Sequence, residues 1–232
     1  MKQLFLWPLA LLALACQPSA NHDTERIETS PPPAAKQKPS GLPDADTASG
    51  ATASSGLPAG FRAGLAAGRM TFRPPAGTVP TPVLKNAQMD YEYAVRVPGK
   101  HVEIRYAIRP LGQLLAEYQQ AKAKGEAAVD PNQLYSSLVT VVALNVSGGD
   151  EPTTEDFPAE AVQQEFGADW GTTTMVRAGK EFGPKYAKCM IVALHKQDVA
   201  YASCFYLFDK PDDLGPLLDS PTTDAFHALR FR

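Results

Sequence analysis

The chain has 232 residues, 44% of them hydrophobic and 20% charged, with a formal net charge of −3. That length accommodates one ordinary domain with extensions, and the balance is globular rather than fibrous. With a slight negative charge and no long basic run, nothing points to nucleic acid or to an anionic membrane surface as a partner.

The amino terminus opens with Met1-Lys2, followed by an apolar run from Leu4 to Ala15 broken only by Pro8. A spanning helix needs about 20 apolar residues, so this shorter run has the layout of a secretory signal, residues 1–15. Its end, Ala13-Leu14-Ala15-Cys16, resembles the lipobox of bacterial lipoproteins. The resemblance implies cleavage before Cys16 by signal peptidase II. It also implies a diacylglycerol on the Cys16 sulfur and a further acyl chain, such as palmitate, on its nitrogen. An ordinary secretory signal with an incidental cysteine is the plainer alternative. One acyl chain anchors marginally, at about 0.8 kcal/mol per CH₂, and two or more anchor stably. Under the enterobacterial sorting rule, Gln17 in place of Asp implies the outer membrane, with the domain in the periplasm or at the cell surface.

Residues 16–58 hold the lipidated cysteine and a stretch rich in Pro, Ser, Ala, Thr and Gly, including Pro31-Pro32-Pro33 and the run from Ser49 to Gly56. Few large apolar side chains are present to offset ordering entropy, which predicts a disordered tether. About 40 residues of flexible coil reach roughly 35 Å on average and on the order of 140 Å fully stretched.

Residues 59–232 read as a single globular α+β domain, an antiparallel sheet with helices packed on it. The segment Phe61–Gly68 resists assignment and is a candidate docked piece. Met70–Arg73 reads as a short strand, and Val79–Leu84 as an edge segment, because its prolines exclude a central strand. From Gln88 to Arg109 the period-two alternation of Tyr91, Tyr93, Val95 and Val97, then Val102, Ile104, Tyr106 and Ile108, predicts a hairpin with one buried and one wet face. A two-residue turn pairs Glu92 with Arg105, and a four-residue turn pairs Arg96 with Glu103. The wet face is thus expected to be a solvated salt-bridge face rather than a general acid–base pair.

Leu111, Leu114, Leu115 and Tyr118 mark a helix to Lys124, with Gly125 as its terminator. A second helix, capped by Asp130, is predicted over Pro131–Val146, with Leu134, Leu138, Val141 and Val142 on one face. Its β-branched content leaves a strand open. A short helix follows Pro158 and ends at Gly167. Gly171–Arg177 reads as a strand, and the chain closes with a helix near Pro211–Leu218 and a strand over Phe226–Phe231.

The apolar runs Tyr186–Leu194 and Val199–Phe208 flank His195-Lys196-Gln197-Asp198 and predict a central hairpin buried on both faces. If Leu194 faces Val199, then Cys189 faces Cys204, and an oxidising periplasm predicts a disulfide between them. Such a staple is worth about 3 kcal/mol in the chain-entropy model. Two reduced buried thiols are the alternative. The opening short strand with its Pro-Gly turn, together with this late apolar hairpin, resembles Mog1/PsbP-like domains. That resemblance implies a binding or assembly-accessory module rather than an enzyme.

No catalytic constellation emerges. His22, His101, His195 and His227 lack metal-ligand spacing, and no nucleophile elbow or phosphate-binding loop occurs, so no cofactor and no metal are expected. The acidic stretch Asp150-Glu151 to Glu155-Asp156 lacks the order of a calcium loop. Asp169 and Trp170 form the candidate contact site, with Trp170 either a plug under the sheet or an exposed anchor for a partner. The expected partners are the membrane, through the lipid anchor, and an envelope protein. The reading is a non-enzymatic envelope lipoprotein, with a small apolar-ligand carrier and an enzyme of unfamiliar type as alternatives.

Overall fold

The computed structural model describes residues 56–232. The signal segment, Cys16 and most of the predicted tether lie outside the described residues. Among the described residues, no helix is long and apolar enough to cross a membrane.

The domain is α+β. It opens with helix α1 (Ala59–Ala67), which resolves the unassigned segment: Phe61 and Leu65 bury one turn apart. Strands β1 (Met70–Phe72), β2 (Val79–Pro80), β3 (Tyr93–Arg96) and β4 (Val102–Pro110) follow. Then come α2 (Gly112–Ala123), a 3-10 turn at Pro131–Gln133, α3 (Tyr135–Ser147), β5 (Thr153–Asp156), α4 (Ala159–Phe166) and β6 (Trp170–Arg177). The chain finishes with β7 (Lys188–Lys196), β8 (Ala200–Phe208), α5 (Pro211–Leu218) and β9 (Leu229–Phe231).

Seven strands form one antiparallel sheet in the order β2-β3-β4-β8-β7-β6-β5, and β1 pairs with β9 in a separate ribbon. The central strands β4, β8 and β7 are covered on both faces, as continuous apolar runs require. One face carries Ile104, Tyr106, Cys204, Tyr206, Val192 and Leu194 under α1, α4, α5 and the ribbon. The other carries Ala107, Phe205, Leu207, Ile191 and Cys189 under α3 and Phe182. Helices therefore flank the sheet on both sides.

The first hairpin adopts the four-residue turn, pairing Arg96 with Glu103. Its expected wet face is not wet throughout. Arg105 is only 2% exposed and Ala94 is fully buried, because the segment after β6 folds back over them. Helix α3 corrects a second expectation. It buries Val139, Val142, Ala143 and Val146, while Leu134, Leu138 and Val141 are exposed. Both stripes are apolar, and the sheet receives the one containing Ala143, whose small side chain admits close helix–sheet approach. The acidic stretch after Asp150 contributes β5, an exposed edge strand that alternation did not signal.

The predicted disulfide is overturned. Cys189 lies opposite Leu207, and Cys204 opposite Val192; both thiols are free and buried. The cause is the turn. Lys196 pairs with Ala200, leaving Gln197, Asp198 and Val199 in the loop, with Asp198 left-handed at φ 60°. The pairing is three residues out from the predicted register. An odd slip sends alternate side chains to the other face, so the two cysteines join different cores.

Candidate functional site

The feature least explained by folding alone is Arg105. It sits in the middle of β4, directly opposite Phe205 of β8. The segment from Gly179 to Tyr186 closes over it through a series of backbone bonds. Gly179 N donates to Val146 O at 2.8 Å, Gly183 N to Gly179 O at 2.8 Å, and Tyr186 N to Gly183 O at 3.0 Å. The glycine at 179 is required there, because a Cβ would stand 2.7 Å from the Val146 carbonyl oxygen. This fold-back drives Phe182 against Phe205, ring centroids 5.1 Å apart.

The Arg105 guanidinium packs against two rings set edge to face, 4.7 Å from the Tyr91 centroid and 4.6 Å from that of Phe182. Its Nε donates to Glu103 Oε1 at 2.6 Å, and its Nη1 donates to the Phe182 carbonyl oxygen. Tyr186 OH donates to the other Glu103 oxygen at 3.2 Å. Burial, followed by the Glu103 charge, pushes the Tyr186 phenol up to about 12, so it remains a donor. Tyr91 is fixed in turn by accepting from Leu84 N at 2.8 Å. Among the described residues, Arg105 Nη2 has no hydrogen-bond partner.

Arg105, Glu103 and Tyr186 form part of the wall of a cleft of about 310 Å³, completed by Leu84, Arg96 and Lys185 among others. At its rim, His101 stacks on Tyr186 with centroids 4.6 Å apart. His101 Nδ1 lies 2.6 Å from Asp209 Oδ2. That contact, helped by the Ala187 N–H, holds the Asp209 carboxyl below its usual range. The arrangement can bind and orient a small solute. It presents donors and positive charge.

The sequence-based candidates lie elsewhere. Trp170 opposes His195 across β6 and β7. It is half-buried, 4.7 Å from the Tyr135 ring, and Tyr135 stacks on His195 at 4.6 Å. Asp169 is exposed, and its Oδ2 accepts from Gln197 N at 2.9 Å, so it braces the β7–β8 turn. Beneath them, both His195 ring nitrogens and the Tyr201 and Ser203 hydroxyls are buried without a well-formed partner among the described residues. Burial lowers the His195 pKa against the opposing pull of Asp169 and Asp198, and pushes the Tyr201 phenol up to about 12. His227 bridges Glu165 and Asp224 at the surface.

Sequence reasoning placed Arg105 on a solvated face and so missed its burial. Alternation marks which face a side chain takes, not what later folds over it. The signal available was Phe182 in a Gly-rich, aromatic segment with no periodicity of its own. Among the described residues, no three metal-binding side chains converge. No family model, no curated protein and no solved structure matches the chain.

Proposed function

We propose that the chain is a cell-envelope lipoprotein whose folded domain is a non-enzymatic binding or assembly-accessory module. The lipobox supports attachment through Cys16, and the Pro/Ser-rich spacer supports display away from an outer-membrane anchor. The observation that carries the binding reading is the cleft beside Arg105. Its volume lies at the lower end of small-molecule sites, roughly 300–1,000 Å³, and the packing of Tyr91 and Phe182 against Arg105 holds its polar wall in place before any ligand arrives. Preorganisation of this kind lowers the ordering cost of binding.

Two measurements test the two halves of this reading. Intact-mass analysis of protein from its host is expected to show loss of residues 1–15 and added acyl mass, with Cys16→Ala releasing the chain from the membrane fraction. Retention of Met1 without acyl mass removes the envelope placement. A fragment screen by NMR on the full chain is expected to perturb Leu84, Arg96 and Tyr186 together. A screen that leaves all three unmoved removes the binding module.

A second reading, an apolar-ligand carrier, is favoured by a groove of about 270 Å³ between the sheet and α5, lined by Met175, Met190, Phe208, Leu214 and Leu218. A fluorescent fatty-acyl probe distinguishes it. The carrier predicts saturable uptake that Met175→Glu abolishes, and no uptake ends that reading.

A further inference from the structure

We propose that the cleft beside β4 binds a small anion, a carboxylate or phosphate group on a compact organic body, with Arg105 gripping it from the wall and Arg96 and Lys185 attracting it at the rim. The inference rests on the reading of the domain as a binding module and supplies its ligand class.

Three observations converge on it. First, Arg105 is 2% exposed, yet only two of its three guanidinium nitrogens are engaged within the domain. The third nitrogen is not a sealed orphan, since it keeps contact with solvent. Arg105 lines the cleft, so its remaining nitrogen has a place to meet a ligand. Planar guanidinium donors match carboxylate and phosphate oxygens better than any other side chain.

Second, the charge balance of the wall is positive. Arg96, Arg105 and Lys185 stand against the single carboxylate of Glu103. Both Glu103 oxygens are already occupied, one by Arg105 and one by Tyr186, which quenches its repulsion of an incoming anion. This local excess sits in a chain whose net charge is −3, so it is not a by-product of a basic surface.

Third, Tyr91 and Phe182, their rings inclined at 76°, pack against the guanidinium from adjacent sides and hold it in place. A surface arginine loses rotamer freedom when it grips a ligand; this one has lost it already on folding. Leu84, Pro82 and Pro184 add apolar wall, which suits an organic body attached to the anionic head. The volume matches a single small acid or phosphate ester.

The test is a calorimetric and NMR titration of the full chain with inorganic phosphate and with succinate, using tetramethylammonium chloride as the cationic control. The expected result is saturable binding of at least one anion, with shifts at Arg96, Lys185 and Tyr186 and none with the control. Arg96→Gln and Lys185→Gln, both solvent-facing changes, are expected to weaken binding about threefold each. Arg105→Lys, checked for folding by circular dichroism, is expected to weaken it about tenfold or more. Vesicles of phosphatidylglycerol, compared with phosphatidylcholine, separate a lipid headgroup from a free solute: binding that Lys185→Gln weakens only on the anionic vesicles identifies the headgroup as the source of the anion. Absence of saturable anion binding, or binding indifferent to both rim variants, overturns the proposal. Neutral fragments that shift the cleft while no anion does overturn the ligand class and leave the binding module standing.

Discussion

Cys189 and Cys204 stand on neighbouring antiparallel strands but face opposite sides of the sheet, Cys189 across from Leu207 and Cys204 across from Val192. Burial drives both thiols up, Cys204 to about 12, so neither offers thiolate at neutral pH. Both are expected to titrate with Ellman's reagent in denaturant without added reductant. In the native protein their reaction is expected to run roughly a hundredfold or more slower, limited by opening of the central strands. A disulfide-mapped peptide joining residues 189 and 204 contradicts the register.

His195 makes stability pH-dependent. Its folded-state pKa is lowered, first by desolvation, so the unfolded chain holds the proton more tightly. Stability from the neutral ring is complete above the ordinary histidine value of about 6.5 and is lost as pH falls from there towards the folded-state value. Urea midpoints are expected to drop between pH 7.5 and 5.5. His195→Phe, which keeps a ring against Tyr135, is expected to flatten that part of the profile. A parallel drop in the variant sinks the assignment.

Two glycines separate packing from propensity. Gly179→Ala places a Cβ 2.7 Å from Val146 O and 2.9 Å from the Ser147 carbonyl carbon, both backbone atoms. Overpacking there is expected to cost about 1–3 kcal/mol and to loosen the segment that covers Arg105. Gly60→Ala in α1 meets nothing within 4 Å and is expected to stabilise by about 0.4–1 kcal/mol through the unfolded chain. Thermal midpoints moving in the same direction for the two variants contradict this account.

Asn132 sets the turn that sets the register. Its Nδ2 donates to Asp198 Oδ1 at 2.9 Å, and its Oδ1 accepts from Asp198 N at 2.9 Å, pinning a residue at φ 60°. Asn132→Ala is expected to destabilise by about 0.5–1.5 kcal/mol, since it removes both bonds that hold the exposed Asp198 turn. Hydrogen exchange at Asp198 N reads the effect directly, and unchanged protection there removes the role.

Most elements were legible along the chain. Period-two alternation located β3 and β4, and Pro158 with Gly167 bracketed α4, whose C-cap glycine is left-handed at φ 63°. Two apolar runs announced a central hairpin because strands covered on both faces have no polar positions to alternate with. For the same reason those runs carried no register: with apolar residues on each face, a slip of three leaves the pattern looking equally good. One left-handed aspartate, held by an asparagine about 65 residues earlier in the chain, decided it.

What the sequence determined by itself is the order and kind of the elements, since local periodicity and turn chemistry act over a few residues. The tertiary structure alone decided which face each thiol takes, which stripe of α3 meets the sheet, and that Arg105 is buried. Each of those depends on contacts between segments far apart in the chain. The desolvation of a charge is set by what folds over it, and that is invisible in its own strand.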